Sequence, residues 1–112
     1  MDLASKQHIL QCKDWDTKVL DIPKWGRVQI RALTAKERLD MVEQFGGGEL
    51  TNTDAFGFYV NLIGRSLIDQ EGEQLLQPEE YEQLQSKSWN TLERIAEQIM
   101  QFNGMGEDTA KN

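Results

Sequence analysis

Within residues 54–67, Phe56, Tyr59, Val60, Ile63 and Leu67 recur at the three-to-four-residue spacing of a single helix face. Phe58 and Leu62 widen that stripe to more than half of the helix circumference, which marks it as the central helix. With 112 residues there is room for one ordinary domain, and this segment is expected to lie at the centre of its only core. The 28% of charged residues leaves a hydrophilic exterior, while nine aromatic residues spread along the chain argue against wholesale disorder.

The remaining elements must wrap that helix. Over residues 17–32 the period changes to two: Leu20 and Ile22 alternate with Asp21, and Val28 and Ile30 alternate with Arg27, Gln29 and Arg31. Pro23-Lys24-Trp25-Gly26 between them supplies turn chemistry, which predicts a β-hairpin with one apolar face. Thr34 and Glu37 have capping-box spacing at the start of a second helix. Its apolar positions are Leu39, Val42 and Phe45, and Gly46-Gly47-Gly48 ends it before a flexible loop to about Thr53. Asp69-Gln70-Glu71-Gly72 reads as a turn, Leu75 and Leu76 as a short apolar anchor, and Gln77-Pro78-Glu79-Glu80 as the start of a short helix to about Leu84. A last helix, capped by Ser88, carries Leu92, Ile95, Ala96, Ile99 and Phe102 on one face and closes at Asn103-Gly104. Residues 2–11 suit a short helix with Leu3, Ile9 and Leu10 as its apolar contacts. The expectation is an α+β, mainly helical single domain over residues 1–106, one β-hairpin packed against three or four helices, followed by a flexible tail at 107–112.

Charge narrows the functional classes. Residues 1–38 hold eight Lys/Arg against five Asp/Glu, and residues 39–112 hold four against fourteen, so the two parts carry +3 and −10. Phosphate neutralisation needs a concentrated basic surface, so no nucleic-acid partner is expected. The asymmetry fits a protein partner, or head-to-tail self-association. Cys12 is the only cysteine, no continuous apolar run suits a leader or a membrane span, and a reducing compartment such as the cytoplasm is expected.

Chemistry-bearing constellations are few. His8 and Cys12 stand four apart, as two ligands on one helix face would, but a metal site needs further ligands and the chain has no other histidine or cysteine. No glycine elbow surrounds a serine, and Gly46-Gly47-Gly48 lacks the lysine of a phosphate loop. Asp69, Glu71, Glu73, Glu79, Glu80 and Glu82 fall in a stretch, residues 66–86, without one basic residue; solvated surface charge accounts for them more simply than paired catalytic carboxylates or a cation site. No catalytic residue, cofactor or metal is expected. The hairpin is the stronger lead, because Trp15 and Trp25 lie among Lys13, Lys18, Lys24, Arg27 and Arg31, and tryptophan beside arginine is what protein-binding hot spots are enriched in. Trp15, Trp25, Arg27 and Arg31 are the candidate partner contacts. The plainer alternative is that Trp25 covers the core edge and the bases solubilise the outer face. Trp89 is expected to serve packing.

The order of these features resembles a family. Val28-Gln29-Ile30-Arg31-Ala32-Leu33-Thr34-Ala35-Lys36-Glu37-Arg38 leaves the hairpin, a central helix follows, and then come Leu67-Ile68-Asp69-Gln70-Glu71-Gly72. An acidic short helix around Tyr81 and a final helix ending in Asn103-Gly104 complete the series, over residues 15–106. In this order the chain resembles the tail assembly chaperones of long-tailed bacteriophages. The resemblance implies a non-enzymatic late protein of a phage or prophage. Such a protein acts in the host bacterial cytoplasm, binds the tape-measure protein, with tail-tube subunits as a further partner, and keeps it soluble until the tube polymerises. A cellular adaptor or regulatory domain of the same physical type is the alternative, and a small carboxylate-dependent enzyme a distant one.

Many members of that family are also made in a longer form through a programmed ribosomal frameshift near the end of the short reading frame. Ala110-Lys111-Asn112 permits a slippery heptamer: an alanine codon ending in A, then AAA, then AAC or AAT. A downstream overlapping frame is therefore expected, joined through the flexible tail. The nucleotide sequence decides it: synonymous codons that cannot slip, or a termination codon with no overlapping frame beyond, remove the expectation.

Overall fold

The computed structural model describes residues 2–46 and 52–105. Helix α1 (Lys6–Gln11) leads into strands β1 (Thr17–Ile22) and β2 (Gly26–Arg31), then helices α2 (Ala35–Phe45) and α3 (Asn52–Ser66). Strand β3 (Leu67–Ile68) follows α3 without a break, and a 3-10 helix (Pro78–Ser86) and helix α4 (Trp89–Phe102) complete the chain. The class is the expected one, α+β and mainly helical. The expected tail at 107–112 and most of the expected loop after Gly46 lie outside the described residues.

The hairpin is present with Leu20 opposite Val28 and Lys18 opposite Ile30. Period-two alternation then puts Leu20, Ile22, Val28 and Ile30 on the face turned to the helices, and Val19, Arg27, Gln29 and Arg31 on the other. A third strand joins it: β3 pairs antiparallel with β2, Gln29 with Ile68 and Ile30 with Leu67. The sheet order is β1-β2-β3, so the single hairpin of the sequence reading is a three-stranded sheet. Leu67 is accordingly a strand residue and not the last turn of α3.

Ile30, Leu62, Ile63, Ile95, Ala96 and Ile99 are completely buried, which places the core between the sheet, α3 and α4. The α4 stripe is the expected one, and Phe102 packs against the same cluster. Ser88 stands at the N-cap of α4, but its side chain makes no capping bond. The end of α4 is closed by Gly104 at φ 68, with Gly104 N–H donating to the Gln101 carbonyl and Met105 N–H to that of Met100. That is the Schellman arrangement, and its left-handed position favours glycine.

Two expectations fail in instructive ways. On α2, Leu39 and Val42 are 58% and 55% exposed, whereas Met41 is buried and Phe45 packs on the core. The cause is Glu37, which the Thr34 capping box and Arg31 turn inward; Met41 and Phe45 follow it at four-residue steps along the same face. The helix at the start of the chain covers Lys6–Gln11 alone; Leu3 before it and Ile9 and Leu10 on it are all exposed, so residues 2–11 contribute nothing to the core.

The short helix after Pro78 is a 3-10 helix, and the Glu80 carboxylate accepts from Gln77 N–H at its start, 2.8 Å away. Three residues per turn align Tyr81 with Leu84. Leu84 is buried, and the Tyr81 ring lies so close over Gly64 of α3 that a Cβ there would fall inside it. Gly64→Ala therefore gains about 1 kcal/mol of helix propensity yet has to displace a packed ring, and a net loss of about 1–3 kcal/mol is expected. Urea denaturation measures it; a variant more stable than the parent would show that Tyr81 is no fixed wall.

Candidate functional site

The four candidate contacts divide into two pairs. Trp15 and Arg31 come together, with the guanidinium carbon 5.3 Å from the ring centroid. Arg31 is buried, and its fork meets the Glu37 carboxylate at 2.7 and 2.9 Å while also donating to the Ala32 carbonyl at 3.0 Å. These three hydrogen bonds tie it within the chain, and Trp15 covers the pair beside the turn after β3, where a Cβ on Gly72 would lie 3.7 Å from its ring. Asn103 strengthens the same corner: its side-chain oxygen accepts from Leu33 N–H at 2.8 Å, and its carbonyl accepts from Arg38 at 3.1 Å. In the sequence Asn103 signals only helix closure, as a polar residue ending an apolar helix.

Trp25 and Arg27 stand at the other end of the hairpin. Trp25 N–H donates to the Ile22 carbonyl at 3.1 Å, closing a tight turn in which Pro23 precedes Lys24 at φ 72. A positive φ is what a type II turn demands at its third residue, and lysine adopts it there without the freedom of glycine. Trp25 is half-buried and packs on the core, in agreement with the plainer reading of it, and it also walls a groove. That groove, about 360 Å³, lies between Lys24, Trp25 and Val28 on one side and Leu75, Leu76, Leu84 and Lys87 on the other, with Leu67 beneath. Arg27 lines an adjoining cleft of about 600 Å³ with Val19, Gln29, Ile68 and Glu71, and Val28 and Leu75 border both. Leu75 is 47% exposed. In the sequence Leu75 and Leu76 signal only a short apolar anchor, and Lys87 carries no signal of its own.

The sheet offers a second feature. β3 occupies the edge of β2 at Gln29 and Ile30 alone, and β1 is outermost on the other side, so its backbone edge has no neighbouring strand among the described residues. Such an edge can accept a partner strand.

The acidic turn after β3 is structural. Asp69 accepts from Glu71 N–H at 2.9 Å and from Glu73 N–H at 3.0 Å, which makes it the former of its turn. Glu73 meets exposed Lys13 at 3.5 Å. Among the described residues no group of three His, Cys, Asp or Glu could hold a metal ion, and no helix is long and apolar enough to cross a membrane. Trp89 lies against Tyr59 with ring centroids 5.5 Å apart, which is packing, as expected of it.

Glu37 carries a pH consequence. Burial by itself raises its pKa, but hydrogen bonds from Arg31 and from Thr34 N–H, together with the guanidinium charge, prevail and hold the carboxyl below the ordinary carboxylate value. The folded state therefore favours the ionised form. The stabilisation is complete above the unfolded carboxylate pKa of about 4.3 and is lost as pH falls through the lower folded value. Glu37→Gln is expected to cost about 1.5–3 kcal/mol at neutral pH. In urea titrations its gap from the parent should narrow as pH falls below the ordinary carboxylate range and the parent carboxylate protonates. A gap that does not change with pH would mean that the charge contributes nothing.

No protein-family model and no curated protein sequence matches the chain. Among solved structures, the tail assembly chaperone of bacteriophage HK97 superposes on it with a TM-score of 0.64, over 86% of this chain and 94% of that one, at 17% sequence identity. At so low an identity the likeness is one of fold, and it runs through nearly the whole of the HK97 protein. The chain therefore has the fold of a bacteriophage tail assembly chaperone, the family whose order of motifs its sequence resembles.

Proposed function

We propose that the chain is a non-enzymatic tail assembly chaperone of a long-tailed phage or prophage, which binds the tape-measure protein, and tail-tube subunits as a further partner, in the host bacterial cytoplasm. The observation that carries this reading is the fold shared over 94% of the HK97 chaperone. The surface supports it: a half-buried tryptophan walls a leucine-lined groove, and the β1 edge of the sheet is open, on a protein of net charge −7. A long helical client must have its apolar stripes covered without precipitating, and net negative charge favours dispersion. A frameshifted longer form belongs to the same proposal.

Within this reading Trp25 and Arg27 face the partner, while Arg31 holds Glu37 and presents Trp15. Reversing Arg31 would break a buried pair, so the useful variant is Trp25→Ala/Arg27→Glu. Tape-measure protein from the neighbouring gene is expressed alone, with the native chain, and with that variant after its fold is verified, and soluble and pelleted fractions are compared. The native chain should move most of the client into the soluble fraction, and the variant should lose much of that effect. A client equally soluble without this chain rejects the function; a fully protective variant rejects the placement of the surface.

A further inference from the structure

We infer that the groove between Trp25 and Leu75 receives an amphipathic segment of a partner protein whose apolar residues are flanked by carboxylates. The inference rests on the protein-binding reading above and adds the chemistry of the bound segment.

The groove is apolar inside and cationic at its rim. Leu67 and Leu84 are buried beneath it, Trp25 and Leu76 form half-buried walls, and exposed Leu75 stands at its lip. Lys24 and Lys87 are the charged groups lining it. Their backbones are held, Lys24 by the tight turn and Lys87 by its N–H bond to the Leu84 carbonyl at 3.0 Å. Among the described residues neither has an ion-pair partner, although residues 66–86 beside them are rich in acids and contain no base. An acidic protein does not need two lysines here for solubility, since its carboxylates supply that. Placed on either side of an apolar trough, they complement a leucine- or phenylalanine-bearing ridge with Asp or Glu at its ends.

Other occupants fit less well. Two copies meeting groove to groove would gather four lysines at one interface. A nucleic-acid strand would bring its phosphates against a chain of net charge −7.

The test uses the full chain and a pair of helical peptides of about 20 residues, each with one leucine ridge, flanked in one peptide by glutamates and in the other by lysines. The indole N–H resonance of Trp25, assigned by its loss in Trp25→Phe, reports binding. Saturable shifts with the glutamate peptide are expected, with affinity at least about tenfold above the lysine peptide. Lys24→Glu/Lys87→Glu should reverse the preference, and Leu75→Glu, at an exposed position, should weaken binding at least about tenfold without unfolding the chain. Equal affinity for the two peptides, no saturable shift with either, or a self-association that Leu75→Glu abolishes would overturn the inference. Tape-measure protein takes no part, so the two proposals fail separately. Peptide binding with no effect on client solubility leaves the groove and removes the phage role, and the converse leaves the role and removes the groove.

Discussion

Among the described residues, the pairing of Gln29 with Ile68 and Ile30 with Leu67 is all that joins the hairpin to the helical part through backbone hydrogen bonding, and the architecture follows from it. A two-stranded hairpin is marginal in water by itself. Here α3 runs straight into β3, so the helix with the widest apolar surface is continuous with the strand that completes the sheet. Ile30 and Leu67 then face the core together, and Ile68 is buried on the opposite face. The chain must next reverse within residues 69–72, where Asp69 accepts two backbone donors, and Leu75 N–H returns to the Leu67 carbonyl at 3.0 Å. That return sets Leu75 and Leu76 opposite Trp25. The groove is thus a consequence of the two-residue pairing and of the turn it forces.

A second constraint acts through charge. Arg31 ends β2, Glu37 lies in the first turn of α2, and their bidentate contact fixes the rotation of the helix about its axis. With Glu37, Met41 and Phe45 inward, Leu39 and Val42 have to be outward. Asn103 joins the same linker to the end of α4, so β2, α2 and the end of α4 meet at one polar corner. Such a corner specifies geometry more than it adds stability, because ionised groups taken from water regain only part of what they lose.

The long periodic features were legible in the sequence. The stripes of α3 and α4, the alternation of the hairpin and the Thr34–Glu37 box each involve many residues or an unambiguous spacing, and each was found where expected. β3 was not legible, because two residues carry no period and Leu67 continues the helical stripe. The face of α2 misled for a different reason: Leu39, Val42 and Phe45 satisfy a three-residue spacing, but the helix rotation is set by a charge pair with a residue outside it. At the site, hydrophobicity and charge type singled out Trp25 and Arg27, yet could not distinguish them from Arg31. The difference is one of partner, and Glu37 becomes that partner only when β2 and α2 are brought side by side. Lys87 stayed unnoticed because its neighbour across the groove, Lys24, is 63 residues away in the chain.

The fold also decides which charges remain available to a partner. Of the basic residues in the first third of the chain, Lys13, Arg31 and Lys36 meet Glu73, Glu37 and Asp40, and Arg38 donates to the Asn103 carbonyl. Lys24 and Arg27, on either side of Trp25, have no such contact among the described residues. Lys6 and Lys18 likewise have none, so the positive charge left over includes the hairpin tip, beside exposed Asp21 opposite Arg27, while the molecule as a whole is negative. The two act over different ranges: the tip attracts a carboxylate at contact, and the remainder repels an acidic body over about 8–10 Å, the screening length at ordinary ionic strength. Salt weakens both, in opposite directions. A partner matched to this surface is acidic beside its apolar ridge and not strongly acidic overall, and such a combination selects a local segment within a long chain rather than any negatively charged protein.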